Sequence, residues 1–200
     1  VVGAGSKVRG GAGLDRITRF DLSGATEAVT ITYADGNLAL AGDDGTEITG
    51  VEEIHNIASG AGDDRVDMGF WIGSGFSSGG GGTDRLIVDY SGTAPDGRVA
   101  KSVSFNPDAR GDEVRLSFTD DSSTGFDFSG FELFTVTGSA GNDTIRGSNG
   151  NDVLRGGPGD DTIHGRGGVD VLEGGDGDDR FDVVGAGSKV RGGAGLDRIT

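Results

Sequence analysis

The 200-residue sequence contains no cysteine, three prolines, one methionine, one tryptophan and two tyrosines. Without cysteine there are no disulfides and no thiolate metal sites, which suits an extracellular chain stabilised by other means. No apolar run approaches the roughly 18 residues a membrane-spanning helix needs. No N-terminal signal peptide is visible, and the chain, lacking an initiating methionine, reads as an excerpt. Large apolar side chains are scarce as well. Val, Leu, Ile and Phe total 47 residues, just above the roughly 20 per cent line associated with disorder. Such a chain cannot bury one thick core; it needs a thin core repeated many times, or an external stabiliser. Basic residues number only 17 against 33 acids, a net charge of −16, so nucleic acid would be repelled and is not an expected partner.

Two residue types are in excess. Glycine supplies 42 residues, and of the 33 acids 26 are Asp and only 7 Glu. A merely solvated acidic surface has no reason to avoid Glu, which suits helices better. Asp beside Gly is turn chemistry, and carboxylates clustered on turns are ligands for hard cations.

The excess is organised as repeats at two scales. Val1 to Thr18 reads VVGAGSKVRGGAGLDRIT, and Val183 to Thr200 reads the same without a single difference. The chain is thus one long unit, ending at Asp182, plus the opening segment of the next, and a tandem array of near-identical units is expected. Within the unit, from Gly138, runs a nine-residue period: GSAGNDTIR, GSNGNDVLR, GGPGDDTIH, GRGGVDVLE, GGDGDDRFD, VVGAGSKVR, GGAGLDRIT. Position 6 is Asp143, Asp152, Asp161, Asp170, Asp179 and Asp197, with Ser188 the exception. Position 8 is always apolar: Ile145, Leu154, Ile163, Leu172, Phe181, Val190 and Ile199. Single copies recur from Gly10, Ser59 and Gly79. The chain therefore divides into the start of a unit (1–18), an irregular β segment (19–58), a short repeat block with an inserted loop at 68–78 (59–87), a second irregular β segment (88–137) and a continuous repeat block (138–200). The irregular segments alternate apolar and polar residues between Asp-Gly turn signals, so they predict hairpins or long-looped strands. No helical period is present.

Each nonamer has two mechanical halves. Positions 1–6 are Gly-rich and turn tightly, and positions 7–9 make a short strand whose position-8 side chain faces inward. Two nonamers close one circuit, and circuits stacked at about 4.8 Å bring Asp residues two nonamers apart into register. Aligned carboxylates repel in a partly dry groove, and a cation between them reverses that sign. Carboxylate and carbonyl oxygens together are the ligand set calcium prefers. With two His and no Cys, zinc and copper are disfavoured.

These nonamers resemble the GGxGxDxUx repeats of the RTX (repeats-in-toxin, hemolysin-type) calcium-binding family. The resemblance runs continuously over 138–200 and returns at 10–18, 59–67 and 79–87. It implies an all-β fold, a parallel β-roll or β-solenoid with longer-looped β segments between the Gly-rich blocks. It further implies calcium-driven folding outside a bacterial cell after type I export. In the family one calcium sits between nonamers two apart, held by position-2 and position-4 carbonyls and the position-6 Asp of the first with positions 1, 3 and 6 of the second. Carried over, one site joins Ser139, Gly141 and Asp143 to Gly156, Pro158 and Asp161. The next joins Ser148, Gly150 and Asp152 to Gly165, Gly167 and Asp170. A third joins Gly157, Gly159 and Asp161 to Gly174, Asp176 and Asp179, and a fourth joins Gly175, Gly177 and Asp179 to Gly192, Ala194 and Asp197. Gly60, Gly62 and Asp64 pair with Gly79, Gly81 and Asp84 despite a longer spacing, the two extra residues looping out between 68 and 78. Ser188 interrupts the series, and Asp15 completes a site with a preceding unit. Five calcium ions would cancel ten of the sixteen excess negative charges.

Other motifs weigh less. Gly75-Phe76-Ser77-Ser78-Gly79 matches a nucleophile elbow, but no strand-to-helix turn or His partner accompanies it, and Gly-Ser-rich sequence yields the match by chance. Arg110-Gly111-Asp112 reads as a polar turn, Asn142-Asp143-Thr144 as part of a calcium turn rather than a sequon, and His55 and His164 as surface residues. Phe70, Trp71 and Phe76 read as plugs where the regular turns lapse, with an exposed contact as the competing reading. The chain is expected to be non-enzymatic: a structural, calcium-rigidified extender in an adhesin, filament or surface layer. Its expected partners are neighbouring identical units and other copies in a fibre or coat. The competing expectation is the export and folding region of a type I-secreted toxin or hydrolase.

Overall fold

In a computed structural model of the chain, the described residues are 2–3, 7–9, 16–34, 37–41, 47–49, 53–54, 56–71, 75–94, 96–107, 112–183 and 185–200. Every regular element among them is a β-strand. Two walls face each other. One is an eight-stranded sheet that, from its C-terminal edge, runs Lys189–Ala194, Val171–Asp176, Val153–Pro158, Leu133–Thr137, Arg85–Asp89, Arg65–Asp67, Thr30–Ala34, Asn37–Ala41. The other has eleven strands and ends at the same edge with Arg198–Ile199, Arg180–Val183, Thr162–Arg166 and Thr144–Arg146. Through the repeat block, successive strands of the chain alternate between the walls, so the backbone winds as a parallel roll.

The register of the stack follows from the nonamers. Ile145 lies beside Ile163 and then Phe181 in one wall; Leu154 lies beside Leu172 and then Val190 in the other. Each partner lies two nonamers further along the chain, which is one full circuit. Ile145, Leu154, Ile163, Leu172 and Phe181 are wholly buried, and together they form a core one side chain thick. In the earlier block Arg65 pairs with Arg85 and Val66 with Leu86, a circuit two residues longer. The two additional residues are taken up in the connection that carries Phe70 and Trp71. Trp71 is buried and Phe70 packs half-buried against the core, its ring edge-on to Tyr90 at 5.1 Å. Both act as plugs of the roll; the side chain of Phe76 is outside the described residues.

The irregular stretches add antiparallel strands to this frame. Ala100–Asn106, Asp112–Phe118 and Ser123–Ser129 form a three-stranded antiparallel meander. It is inserted into the eleven-stranded wall between Phe76–Ser78 and Thr144–Arg146. The opposite wall gains no matching strands there, because Arg85–Asp89 pairs directly with Leu133–Thr137. One wall is therefore longer than the other at this level, and aromatic rings fill the wider space. Phe105, Phe128 and Phe134 pack with centroids 5.2–5.6 Å apart, and Phe126 and Phe131 flank Phe128 at 6.2 and 6.4 Å. Towards the N-terminus, Thr30–Ala34 and Asn37–Ala41 form an antiparallel hairpin at the edge of the eight-stranded wall.

Candidate metal centres

The turns between the walls carry the position-6 aspartates, and the roll stacks them into columns. Asp143 donates its amide to Asp161 Oδ1 at 2.8 Å, Asp161 to Asp179 Oδ1 at 2.9 Å and Asp179 to Asp197 Oδ1 at 3.1 Å. On the other edge Asp152 donates to Asp170 Oδ1 at 3.0 Å. Asp170 then donates to Ser188 Oγ at 2.9 Å, a hydroxyl in the seat of the next carboxylate. In the earlier block Asp64 donates its amide to Asp84 Oδ1 at 2.8 Å. One oxygen of each carboxylate thus caps the turn of the circuit before it. All five carried-over carboxylate pairs are in register. Asp15 is outside the described residues, as are His55, Arg110 and Gly111.

The second carboxylate oxygen faces inward across the turn. At position 1 a glycine lies so close that a Cβ would meet it. At Gly138 that Cβ would stand 2.2 Å from Asp143 Oδ2 and 2.3 Å from the Gly156 carbonyl oxygen. At Gly147 it would stand 2.5 Å from Asp152 Oδ2 and 2.8 Å from the Gly165 oxygen, and at Gly174 2.0 Å from Asp179 Oδ2 and 2.7 Å from the Gly192 oxygen. A carboxylate oxygen and a carbonyl of the next circuit therefore converge where glycine leaves room. Asp143 and Asp152 satisfy this oxygen from the amides of Ser139 and Ser148, each at 2.6 Å. Asp84, Asp161 and Asp179 leave it buried without a hydrogen-bond partner. Such an orphan costs free energy until something positive meets it. The position-3 carbonyls of Asp176 and Ala194 already accept the amides of Gly159 and Gly177, at 2.7 and 2.8 Å, which leaves each one lone pair for a cation.

The electrostatics follow the geometry. Burial pushes Asp161 up to about 7, with Asp143 and Asp179 adding repulsion. Burial also pushes Asp143, Asp152 and Asp84 up to about 6, and it raises Asp170 and Asp179. Among the described residues no three Asp, Glu, His or Cys side chains converge. Each centre combines two carboxylates with backbone carbonyls, an all-oxygen set that fits calcium and offers nothing to softer metals.

Two further features stand beside the position-6 columns. Position 5 carries its own ladder: Asn142 Oδ1 accepts the Asp160 amide at 3.0 Å, Asp160 Oδ1 that of Asp178 at 2.9 Å and Asp178 Oδ1 that of Leu196 at 2.8 Å. Its signal, Asn or Asp before the position-6 Asp, was present in the sequence. Asn142 is thus a turn acceptor. Glu132 is the second: it accepts the Asp84 amide at 2.9 Å, and it belongs to no nonamer. Ser77 has its hydroxyl buried within a strand, and His164 lies half-buried 3.3 Å from Asp182.

A family model described as RTX calcium-binding nonapeptide repeat (4 copies) matches residues 135–163 and 146–181. No curated protein matches the chain significantly.

Proposed function

Residues 135–181 belong to the RTX calcium-binding nonapeptide repeat family, and from that premise we propose that the chain is one length of an extracellular structural roll, rigidified by calcium and continued end to end by identical units. The carrying observation is a contrast between two copies of one residue. Ile17 and Ile199 occupy the same place in the two identical segments, Val1 to Thr18 and Val183 to Thr200. Ile17, whose strand pairs forward with Glu53–Ile54, is 5% exposed. Ile199, whose strand pairs only backward with Arg180–Val183 among the described residues, is 67% exposed. The neighbouring strands repeat the pattern. Lys189–Ala194 pairs backward with Val171–Asp176, whereas its N-terminal counterpart Lys7–Arg9 pairs forward with Glu47–Thr49. Combining the two copies gives each strand neighbours on both sides. A following unit would lay its circuits directly on this edge and cover Ile199, an apolar burial that favours continuation.

Calcium, when bound, supplies two positive charges and a demand for six to eight oxygens between facing carboxylates. The chain supplies the rest: position-6 aspartates hold one oxygen on the preceding turn and present the other, and position-1 glycines keep the approach clear. Extracellular placement is supported by the family match and the lack of cysteine. No helix among the described residues is long and apolar enough to cross a membrane. A structural rather than enzymatic role is supported by exact repetition, which serves a spacer and gives a catalyst nothing.

Electron microscopy and small-angle scattering of proteins with one, two and four consecutive units, in calcium and in chelator, test this. Rods are expected only in calcium, lengthening on the order of 3–4 nm per unit at about 4.8 Å per circuit. Particles whose length does not grow with unit number, or that are unchanged by chelator, would overturn the extender reading. A short array joined to a catalytic domain would instead favour an export and folding segment.

A further inference from the structure

The turn Gly79–Asp84 faces Asp64 on one side and, on the other, a stretch with no nonamer in it. Gly79 donates its amide to the Ser129 carbonyl at 3.0 Å, and Glu132 and Leu133 donate theirs to the Asp84 carbonyl at 3.1 and 3.0 Å. Residues 130–132 therefore occupy the place of the next circuit's turn. The convergence seen in the regular circuits recurs at this level. A Cβ on Gly79 would stand 2.1 Å from the Gly130 carbonyl oxygen and 2.7 Å from Asp84 Oδ2, the same pair of groups that meets at Gly138, Gly147 and Gly174. The carboxylate seat is also filled, because Glu132 Oε2 accepts the Asp84 amide at 2.9 Å as Asp161 does for Asp143. Glu132 follows its glycine by two residues where a nonamer Asp follows by five, so the same seat is filled from a different place in the turn.

An acidic pair alone would not make a site. Here Asp84 is 0% exposed, and its Oδ2 has no hydrogen-bond partner. A buried carboxylate oxygen turned towards a carbonyl oxygen, with a second carboxylate two residues along from that carbonyl, is a repulsive arrangement that a cation between them would relieve. We propose that a divalent hard cation, calcium, is bound between the 79–84 and 130–132 turns by the Asp84 and Glu132 carboxylates together with the Gly130 carbonyl, a centre outside the nonapeptide pattern. The proposal rests on the calcium reading of the nonamers. It places a metal clamp beside the antiparallel meander, where the two walls differ in strand number and the circuit has no nonamer turn of its own.

Calcium bound per chain, counted by native mass spectrometry and by titration calorimetry on the full chain, tests it with Glu132→Gln and Glu132→Asp. Glu132→Gln keeps an acceptor for the Asp84 amide and removes the charge. One ion fewer than wild type is expected in Glu132→Gln, and the full complement in Glu132→Asp. Equal counts in Glu132→Gln and wild type would overturn the proposal. Should Glu132→Gln fail to gain β structure in saturating calcium, Glu132→Asp decides. Folding with the full count supports a requirement for charge; failure of both variants shows a requirement for side-chain length and overturns the site. Wild-type chain that binds no calcium would instead defeat the underlying calcium reading, so the two failures are distinguishable.

Discussion

At the scale of single residues, the buried position-6 aspartates are a source of instability until a proton or a cation meets them. Asp161 is held near 7, and Asp143, Asp152 and Asp84 near 6, chiefly by burial, against about 3.9 in an unfolded chain. A carboxylate whose folded value is raised stabilises the fold fully below its unfolded value, and that contribution is lost as pH rises through the folded one. The metal-free roll should therefore gain β structure progressively as pH falls from about 7 towards about 4, and lose it at about pH 8. In calcium the sense reverses, because protons compete for the same oxygens and binding releases them. Circular dichroism of metal-free and calcium-loaded protein across this range checks it; a metal-free spectrum indifferent to pH would refute the assignment. These aspartates were legible in the sequence because they keep a fixed period. Glu132 was not, since its place beside Asp84 comes from the long-range pairing of Arg85 with Leu133, and no local spacing encodes it.

The elements differ in what holds them. Each regular circuit contributes two inward apolar residues, such as Ile145 and Leu154, and relies on its turns. The meander brings Phe105, Phe118, Phe126 and Phe128 to one buried face, against Phe131 and Phe134. Arg98 lies over the Phe118 ring at 4.0 Å. Aromatic burial on that scale needs no metal. In chelator, hydrogen exchange should leave the amides of 100–107 and 112–134 more protected than those of 144–183 and 185–194. Phe128→Ala, at about 3–5 kcal/mol for a large-to-small core change, should abolish that difference. Uniform loss of protection along the chain in chelator would contradict it. The alternation in Val114–Phe118 and Phe126–Phe128 pointed to strands and hairpins. Their insertion into one wall alone was not legible, because period-2 alternation names a buried face and leaves the choice of neighbouring strand open.

For the whole molecule, the proposed array turns on the C-terminal edge of the roll. Exposed sheet edges invite pairing with other chains, and at the C-terminal edge Leu196 and Ile199 are 74% and 67% exposed. In a tandem array the next unit covers this edge, so stability should behave as in a one-dimensional stack: an intrinsic term per circuit plus a nearest-neighbour term at every junction. Units that were separate beads would melt independently of their number. A continuous roll has junctions to gain, and its end circuits become a smaller fraction as units are added. In saturating calcium the melting temperature should rise from one unit to two and level off beyond a few, with the exchange protection of Arg198 and Ile199 rising to that of Arg16 and Ile17. A melting temperature independent of unit number, with Ile199 still unprotected in the two-unit protein, would mean that the units are joined by linkers and that the roll stops at each repeat.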